Sequence, residues 1–188
     1  MVATAGRVID GIPTAHPQTE AGAAAAAGAY VQVWSDRRQF DPAFQDAVER
    51  LVAGGALRAE LDDTGWGAVT GGTAEPARLA EDPAVVRLAV PAGYRIDHFT
   101  PERAVVTVWY AYMQMGGVDT GPFARPASSW LANRITLAWA DGSWKNVVFE
   151  EADGPVPPTG TGEGATPANA RAINGFTQYL PAAVGSDR

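Results

Sequence analysis

The sequence predicts a single α+β domain in which helices cover one face of an antiparallel sheet. In the first third of the chain, apolar residues recur at helical spacing, whereas after residue 85 they alternate with a period of two, as in strands. Short turn motifs join the strand candidates, and such tight connections pair strands antiparallel. The helices precede the strands, an order typical of α+β proteins, and 188 residues suffice for one sizeable core.

Three helices are predicted before residue 64. The first covers residues 18–34, where Thr19 is a suitable N-cap and a run of alanines favours helix. In the second, Asp41 is the N-cap, Pro42 occupies the first helical position and Gly54–Gly55 end the helix. A short third helix is predicted over residues 56–62, followed by a loop over 64–76. One face of the second helix predicts a buried apolar stripe: Phe44, Val48, Leu51 and Val52.

Strands are predicted from residue 85 onward. Residues 85–90 form a strand that Pro91 ends, and residues 94–99 and 104–115 flank a turn. Residues 129–139 and 144–152 flank Asp141–Gly142, a strong hairpin signal. The strand over 104–115 is apolar on both faces, so we expect both faces to be covered. A long loop is predicted over residues 116–126.

Breaker residues divide the chain into three regions. Residues 1–16 are predicted to be an irregular N-terminal segment, and residues 17–152 to be the α+β domain. Residues 153–188 are predicted to be a Pro/Gly-rich linker followed by a short C-terminal segment. The apolar residues of that segment are expected to dock it back on the domain: Ile173, Phe176, Tyr179 and Leu180.

Composition argues against several classes of function. A net charge of −7 weighs against nucleic-acid binding, which needs a basic surface. The absence of cysteine excludes disulfides, thiol catalysis and thiolate-bound zinc, and two histidines make a poor metal set. No glycine-rich phosphate-binding motif follows a strand, so no cofactor is expected. No apolar run approaches the ~20 residues of a membrane helix, so no membrane insertion by this chain is expected.

Four stretches carry a resemblance to a known group of domains: DGIPTAHPQTEAGAAAAAGAYV at 10–31, VPAGYRIDHFTPERAVVTVWY at 90–110, ITLAWADGSWKNV at 135–147 and INGFTQYLP at 173–181. In these stretches the chain resembles actinobacterial domains associated with conjugation and type IV secretion. The resemblance implies a nuclear transport factor 2-like cone, in which N-terminal helices pack on a curled antiparallel sheet.

The same resemblance implies a non-enzymatic assembly or accessory domain of a conjugative or type IV secretion apparatus, acting through protein–protein contacts. Its partners would be other protein subunits or a second copy of the chain. Domains of this kind lie outside the cytoplasmic membrane on an anchoring helix, so an extracytoplasmic, tethered location is implied. Without an anchor, the expectation is a cytoplasmic protein.

Two pairs of residues are candidates for function. Trp66 and Trp130 lie in or next to predicted loops, and exposed tryptophans are favoured at interfaces. The alternative function is a small-molecule binder, or an isomerase- or cyclase-type enzyme that uses the cone cavity. Asp97 and His98 would then be the acid and base, because one of two adjacent strand residues faces inward. The simpler interpretation is that Asp97 marks a strand end and that His98 lies on the surface.

Overall fold

The computed structural model describes residues 7–67, 76–115, 127–157 and 166–179. The helices in these ranges are α1 (Glu20–Trp34), α2 (Pro42–Leu51), α3 (Gly55–Thr64), α4 (Pro76–Glu81) and α5 (Pro167–Asn174), with short 3-10 helices at Arg37–Phe40 and Gly65–Gly67. The strands are β1 (Arg7–Ile9), β2 (Ile12–Thr14), β3 (Val86–Phe99), β4 (Arg103–Met115), β5 (Ala127–Ala140), β6 (Ser143–Glu150) and β7 (Thr177–Gln178). The predicted α+β class is confirmed. The loops predicted over 116–126 and over most of the linker lie outside the described residues.

Five of the strands form one antiparallel sheet in the order β6-β5-β4-β3-β7. Strands β3 to β6 are consecutive in the chain and adjacent in the sheet, as the short predicted turns require. The Asp141–Gly142 turn is confirmed: both residues have positive φ, 52° and 72°, as a two-residue hairpin turn demands. We call the face of this sheet that contacts α1 the inner face, and the opposite one the outer face.

Pro91 lies within a continuous strand. The prediction that Pro91 ends a strand was wrong, because β3 runs from Val86 to Phe99 and Pro91 stands opposite Tyr110 of β4. The ladder accommodates the proline through a register shift between Pro91 and Gly93. Beside Pro91, β3 is an edge strand, since β7 pairs only with Gly93 and Tyr94. An edge strand tolerates a residue that has no backbone N–H.

Residues 7–14 of the N-terminal segment form a hairpin. Strands β1 and β2 pair antiparallel around Asp10 and Gly11, whose φ angles are 52° and 75°. This corrects the prediction of an irregular segment over residues 1–16 as far as residues 7–14 are concerned, and residues 1–6 lie outside the described residues. The Asp-Gly dipeptide here is the same signal that marks the β5–β6 turn, and it carries the same requirement for positive φ.

The core lies between α1 and the inner face of the sheet. Its largest buried side chains come from both layers, with Tyr30 from α1 and Trp144 from β6 each fully buried. The Tyr30 hydroxyl donates a hydrogen bond of 2.5 Å to the Trp144 carbonyl. Helix α1 is buried on nearly all sides, which explains why it is composed of alanine and glycine rather than of an amphipathic pattern.

Helix α2 adds its predicted stripe to the same core. The Asp41 side chain accepts from the Ala43 N–H at 2.9 Å, which confirms the predicted cap. Phe44, Val48 and Val52 are buried in the core cluster, whereas Leu51 packs against it half-buried. Three of the four residues of the predicted stripe are therefore fully buried.

The C-terminal segment crosses the outer face of the sheet and then reaches around its edge. Phe176 lies 5.8 Å from the Trp109 ring, and β7 pairs with β3. The Tyr179 hydroxyl then donates to the Ala24 carbonyl of α1. The predicted docking of this segment is confirmed for Phe176 and Tyr179, and Leu180 lies outside the described residues. Within the described ranges, no helix is long and apolar enough to cross a membrane.

Candidate functional site

An apolar groove of about 180 Å³ lies on the outer face of the sheet, across β3, β4 and β5. Its walls expose large apolar side chains that a folded domain ordinarily buries. Leu88 is 48% exposed, Val90 is 51% exposed and Met113 is 45% exposed. Met115, 43% exposed, continues the row along β4. We call this feature the outer groove.

Strand register explains why these side chains meet. Leu88 stands opposite Met113, and Val90 stands opposite Ala111. Ala111 in turn stands opposite Trp130 of β5. Because residues two apart along a strand point to the same face, these three strands place their apolar side chains side by side.

Trp130, a predicted partner contact, forms one wall of the outer groove. Its ring lies 4.8 Å from the ring of Trp109, with 31° between the ring planes. Trp109 is buried, and its indole N–H donates a hydrogen bond of 2.9 Å to the Pro155 carbonyl. Trp109 is therefore held in place, and the half-buried Trp130 packs against it.

Trp66, the other predicted partner contact, lies on the helical side of the molecule. Its ring is half-buried, 5.7 Å from the ring of Trp34 on α1. Its indole N–H donates a hydrogen bond of 2.6 Å to the Glu49 carboxylate. The structure thus does not bring Trp66 and Trp130 together, and Trp66 packs against the core cluster.

Asp97 and His98 lie at an irregularity of β3. The ladder shifts register between Ile96 and His98, so Asp97 is an extra residue in the strand. The Thr107 hydroxyl donates 2.6 Å to Asp97 Oδ2, and Thr107 belongs to the outer face of β4. His98 stands opposite Val105 and is exposed. The alternation that would turn one of two neighbours inward does not hold at a bulge, so Asp97 does not reach the core side.

The partners of Asp97 form an ion-pair cluster on the outer face. Arg95 Nε donates a hydrogen bond of 2.7 Å to Asp97 Oδ1, and Arg134 Nε lies 3.9 Å from Asp97 Oδ2. Arg134 also pairs with Glu150 at 3.1 Å. The two arginine side chains are 51% and 53% exposed. Exposed pairs of this kind are screened by water and contribute little to stability.

A second cavity, of about 290 Å³, opens between the C-terminal end of α1 and the inner face of the sheet. We call it the inner cavity. Its lining does not include Asp97 or His98, the acid and base of the alternative function. The sequence did not indicate the polar side chains of this cavity as a site, although Tyr110 and Tyr112 belong to the apolar strand predicted over residues 104–115. The polar side chains on its wall include Arg87, Tyr110, Tyr112, Gln114 and Glu151.

Hydrogen bonds fix the hydroxyl groups of the inner cavity. The buried Asn133 Nδ2 donates to the Tyr110 hydroxyl at 2.6 Å. Burial raises the pKa of Tyr110 above its ordinary value, and the nearby negative charge of Glu151 raises the pKa further. The Tyr112 hydroxyl donates to Gln114 Oε1 at 2.9 Å and accepts from Arg87 Nε at 3.4 Å. Tyr110 is therefore a neutral phenol at physiological pH.

Over the residues that the structure describes, histidine, aspartate and glutamate side chains do not form any group of three or more that could hold an ion.

The fold and these two cavities define a small α+β domain with an exposed apolar sheet face. The chain belongs to the family described as Domain of unknown function (DUF8175), whose model matches residues 6–167. No curated protein matches the chain.

Among solved structures, the chain is similar to the crystal structure of the intermembrane space region of chloroplast protein ARC6. The two are 18% identical, and the match covers 70% of this chain and 97% of that chain with a TM-score of 0.42.

Proposed function

We propose that this domain is a non-enzymatic assembly or accessory part of a conjugative or type IV secretion apparatus. It acts through protein–protein contacts, and its helices and sheet form a nuclear transport factor 2-like cone. The resemblance of the four sequence stretches supports the apparatus. The observation that carries the mode of action is the outer groove, where Leu88, Val90 and Met113 are each about half exposed.

The groove fits a partner that presents apolar side chains. Among the described residues that line it, none is charged, and the polar ones are Tyr112, Ser128 and Ser129. Contiguous exposed apolar surface is uncommon on a monomer and marks interaction sites. A partner that fills the groove removes Leu88, Val90 and Met113 from water, while Trp130 supplies the large aromatic contact that interfaces favour.

Charge favours a protein partner over other macromolecules. A net charge of −7 weighs against binding to nucleic acid or to the anionic surface of a membrane. An apolar protein surface is not repelled by the negative charge of the chain. We therefore assign the groove to another subunit of the apparatus, with a second copy of this chain as the competing occupant. The same proposal places the domain outside the cytoplasmic membrane, held by an anchor in the full-length protein.

Photo-crosslinking in cells that perform conjugation tests this assignment. A photoreactive amino acid replaces Met113 in the groove, and in a matched control it replaces Val148, which is 38% exposed on the outer face of β6. Mass spectrometry identifies the products. We expect position 113 to crosslink to a subunit of the transfer apparatus and position 148 to give at least several-fold less product.

Two outcomes would contradict the proposal. Equal crosslinking at both positions, or none at position 113, would show that the groove is not an interface. Crosslinking of position 113 only to a second copy of the chain, with a dimer in analytical ultracentrifugation, would make the groove a self-association surface instead.

A further inference from the structure

We infer that the inner cavity is a binding site for a small organic acid that carries a hydroxyl or amino group as well as its carboxylate. The cavity opens on the opposite face of the sheet from the outer groove, and Tyr112 and Ser129 border both. At about 290 Å³, the cavity is at the lower end of the size range of ligand pockets. A body of about one ring fills such a space.

The acceptor end of the ligand is recognised by Tyr110. Its hydroxyl accepts a hydrogen bond from Asn133 Nδ2, and its own hydrogen has no acceptor within the described ranges. A neutral phenol in this state donates to a carboxylate oxygen. The Arg87 guanidinium lies on the same wall, held by Tyr112 and packed 5.6 Å from the centre of the Phe40 ring. A cation and a hydroxyl donor together select a carboxylate.

The donor end of the ligand is recognised by Glu151. This side chain is exposed at the edge of the inner cavity, and its carboxylate accepts hydrogen bonds without donating any. A second carboxylate on the ligand would be repelled there, whereas a hydroxyl or an amino group would be bound. The opposite charges of Arg87 and Glu151 therefore orient the ligand, with its carboxylate toward Arg87 and its hydroxyl or amino group toward Glu151.

The remaining wall is apolar and suits a ring. Trp34, Leu131 and Phe149 line it. One buried polar atom of a residue that lines the cavity, Trp34 Nε1, has no hydrogen-bond partner within the described ranges. Buried polar atoms are almost always paired, so an unpaired one calls for an explanation, and a bound polar group is one.

Nuclear magnetic resonance of the ¹⁵N-labelled protein tests the site with four probes. These are benzoate, 3-hydroxybenzoate, 4-hydroxybenzoate and benzyl alcohol. We expect saturable shifts of the backbone signals of Ser35, Tyr110 and Tyr112 with the acids, and about tenfold weaker binding of benzyl alcohol, which lacks the charge. At least one hydroxybenzoate should bind several-fold tighter than benzoate.

Variants separate the two ends of the site. Tyr110→Phe should weaken binding of all three acids about tenfold, as the loss of one hydrogen bond to a charged group does. If this variant does not fold, Arg87→Gln tests the same end. Glu151→Ala should abolish the advantage of the hydroxybenzoate over benzoate, whereas Glu150→Ala on the outer face should preserve it.

Three results would overturn the inference. The acids would give no saturable shift at these three residues, benzyl alcohol would bind as tightly as the acids, or the substitutions at Tyr110, Arg87 and Glu151 would leave every affinity unchanged.

Discussion

The Tyr179 hydroxyl donates a hydrogen bond of 2.8 Å to the carbonyl of Ala24, a residue 155 positions earlier in the chain. This bond joins the C-terminal segment to α1, the central helix of the core. The Tyr179 ring also lies 4.9 Å from the ring of Tyr94 on β3. Because β7 pairs with β3 just before Tyr179, the segment holds the sheet edge and the helix together.

Because Gly28 has no side chain, the Tyr179 ring can pack directly against this part of α1. A Cβ atom at position 28 would lie 2.8 Å from the Tyr179 ring, closer than a folded structure permits. Alanine is otherwise preferred over glycine within a helix by about 1 kcal/mol. We therefore expect Gly28→Ala to lower the free energy of unfolding by about 1–3 kcal/mol, as overpacking of a core does.

The sign of that effect should reverse when the ring is removed. In a Tyr179→Ala background, Gly28→Ala should raise the free energy of unfolding by up to about 1 kcal/mol, since only the helix preference remains. Urea denaturation of the wild type, both single variants and the double variant measures the coupling. Additive effects would show that Tyr179 does not rest on Gly28 in solution.

Buried tyrosines predict loss of stability at high pH. Burial raises the pKa of Tyr30 to about 12, and it also raises the pKa of Tyr110 and Tyr179 above the ordinary value of 10. Each phenol then ionises in the unfolded chain before it ionises in the folded one. Their contribution to stability is complete below pH 10 and is lost as the pH rises toward 12 and beyond.

For Tyr30 alone, the loss between pH 10 and pH 12 should be roughly 2–3 kcal/mol. Urea midpoints at pH 8, 10 and 11 measure the slope. Tyr30→Phe should make the slope shallower, although it lowers stability at pH 8 by about 1 kcal/mol because the Trp144 carbonyl loses its donor. Val31→Ala, in the same buried helix, should lower stability without changing the slope. A Tyr30→Phe slope equal to that of the wild type would exclude Tyr30 as a source.

Local signals were sufficient to predict most of the secondary structure. Asp41 caps α2 as its sequence position indicates, and Asp141–Gly142 forms the expected turn. The continuity of β3 through Pro91 was not predictable in the same way. Whether a proline ends a strand depends on the strand's place in the sheet, and only the pairing of β3 with β4 and β7 reveals its edge.

The candidate site was harder to predict than the secondary structure, because it depends on contacts between residues that are distant in sequence. The position of Asp97 follows from a bulge, which the hydrogen-bonding partner of a strand defines, so the alternation of β3 alone gave no sign of it. The inner cavity combines Trp34 from α1 with Arg87, Tyr110 and Glu151, residues far apart in sequence. Nothing in the local pattern around any one of them indicates the others.

Helix α2 offers a graded test of the core. Phe44 is 5% exposed, and the Arg38 Cζ atom lies 4.3 Å from the centre of its ring. Phe44→Ala should therefore lower the free energy of unfolding by about 3–5 kcal/mol. Leu51 is only half-buried, so Leu51→Ala should cost less, roughly 1–2 kcal/mol. Denaturant midpoints of the two purified variants give the comparison. An equal or reversed order would mean that Leu51 is buried as deeply as Phe44.

Asp97→Asn tests whether the function of the domain depends on the ion-pair cluster or on the outer groove. Asparagine has nearly the same shape and keeps an acceptor for the Thr107 hydroxyl, but it loses the charge that faces Arg95 and Arg134. Because both arginines are half exposed, the free energy of unfolding should fall by less than about 1 kcal/mol. Conjugative transfer by cells that carry Asp97→Asn should therefore stay near the wild-type level.

Met113→Glu, which places a charge in the outer groove, should reduce transfer at least tenfold. Val148→Glu is its control, because it places a charge on the same face of the sheet outside the groove. Thermal unfolding of each purified variant establishes that it folds. A transfer defect in stably folded Asp97→Asn, together with normal transfer in Met113→Glu, would move the function from the groove to the cluster around Asp97.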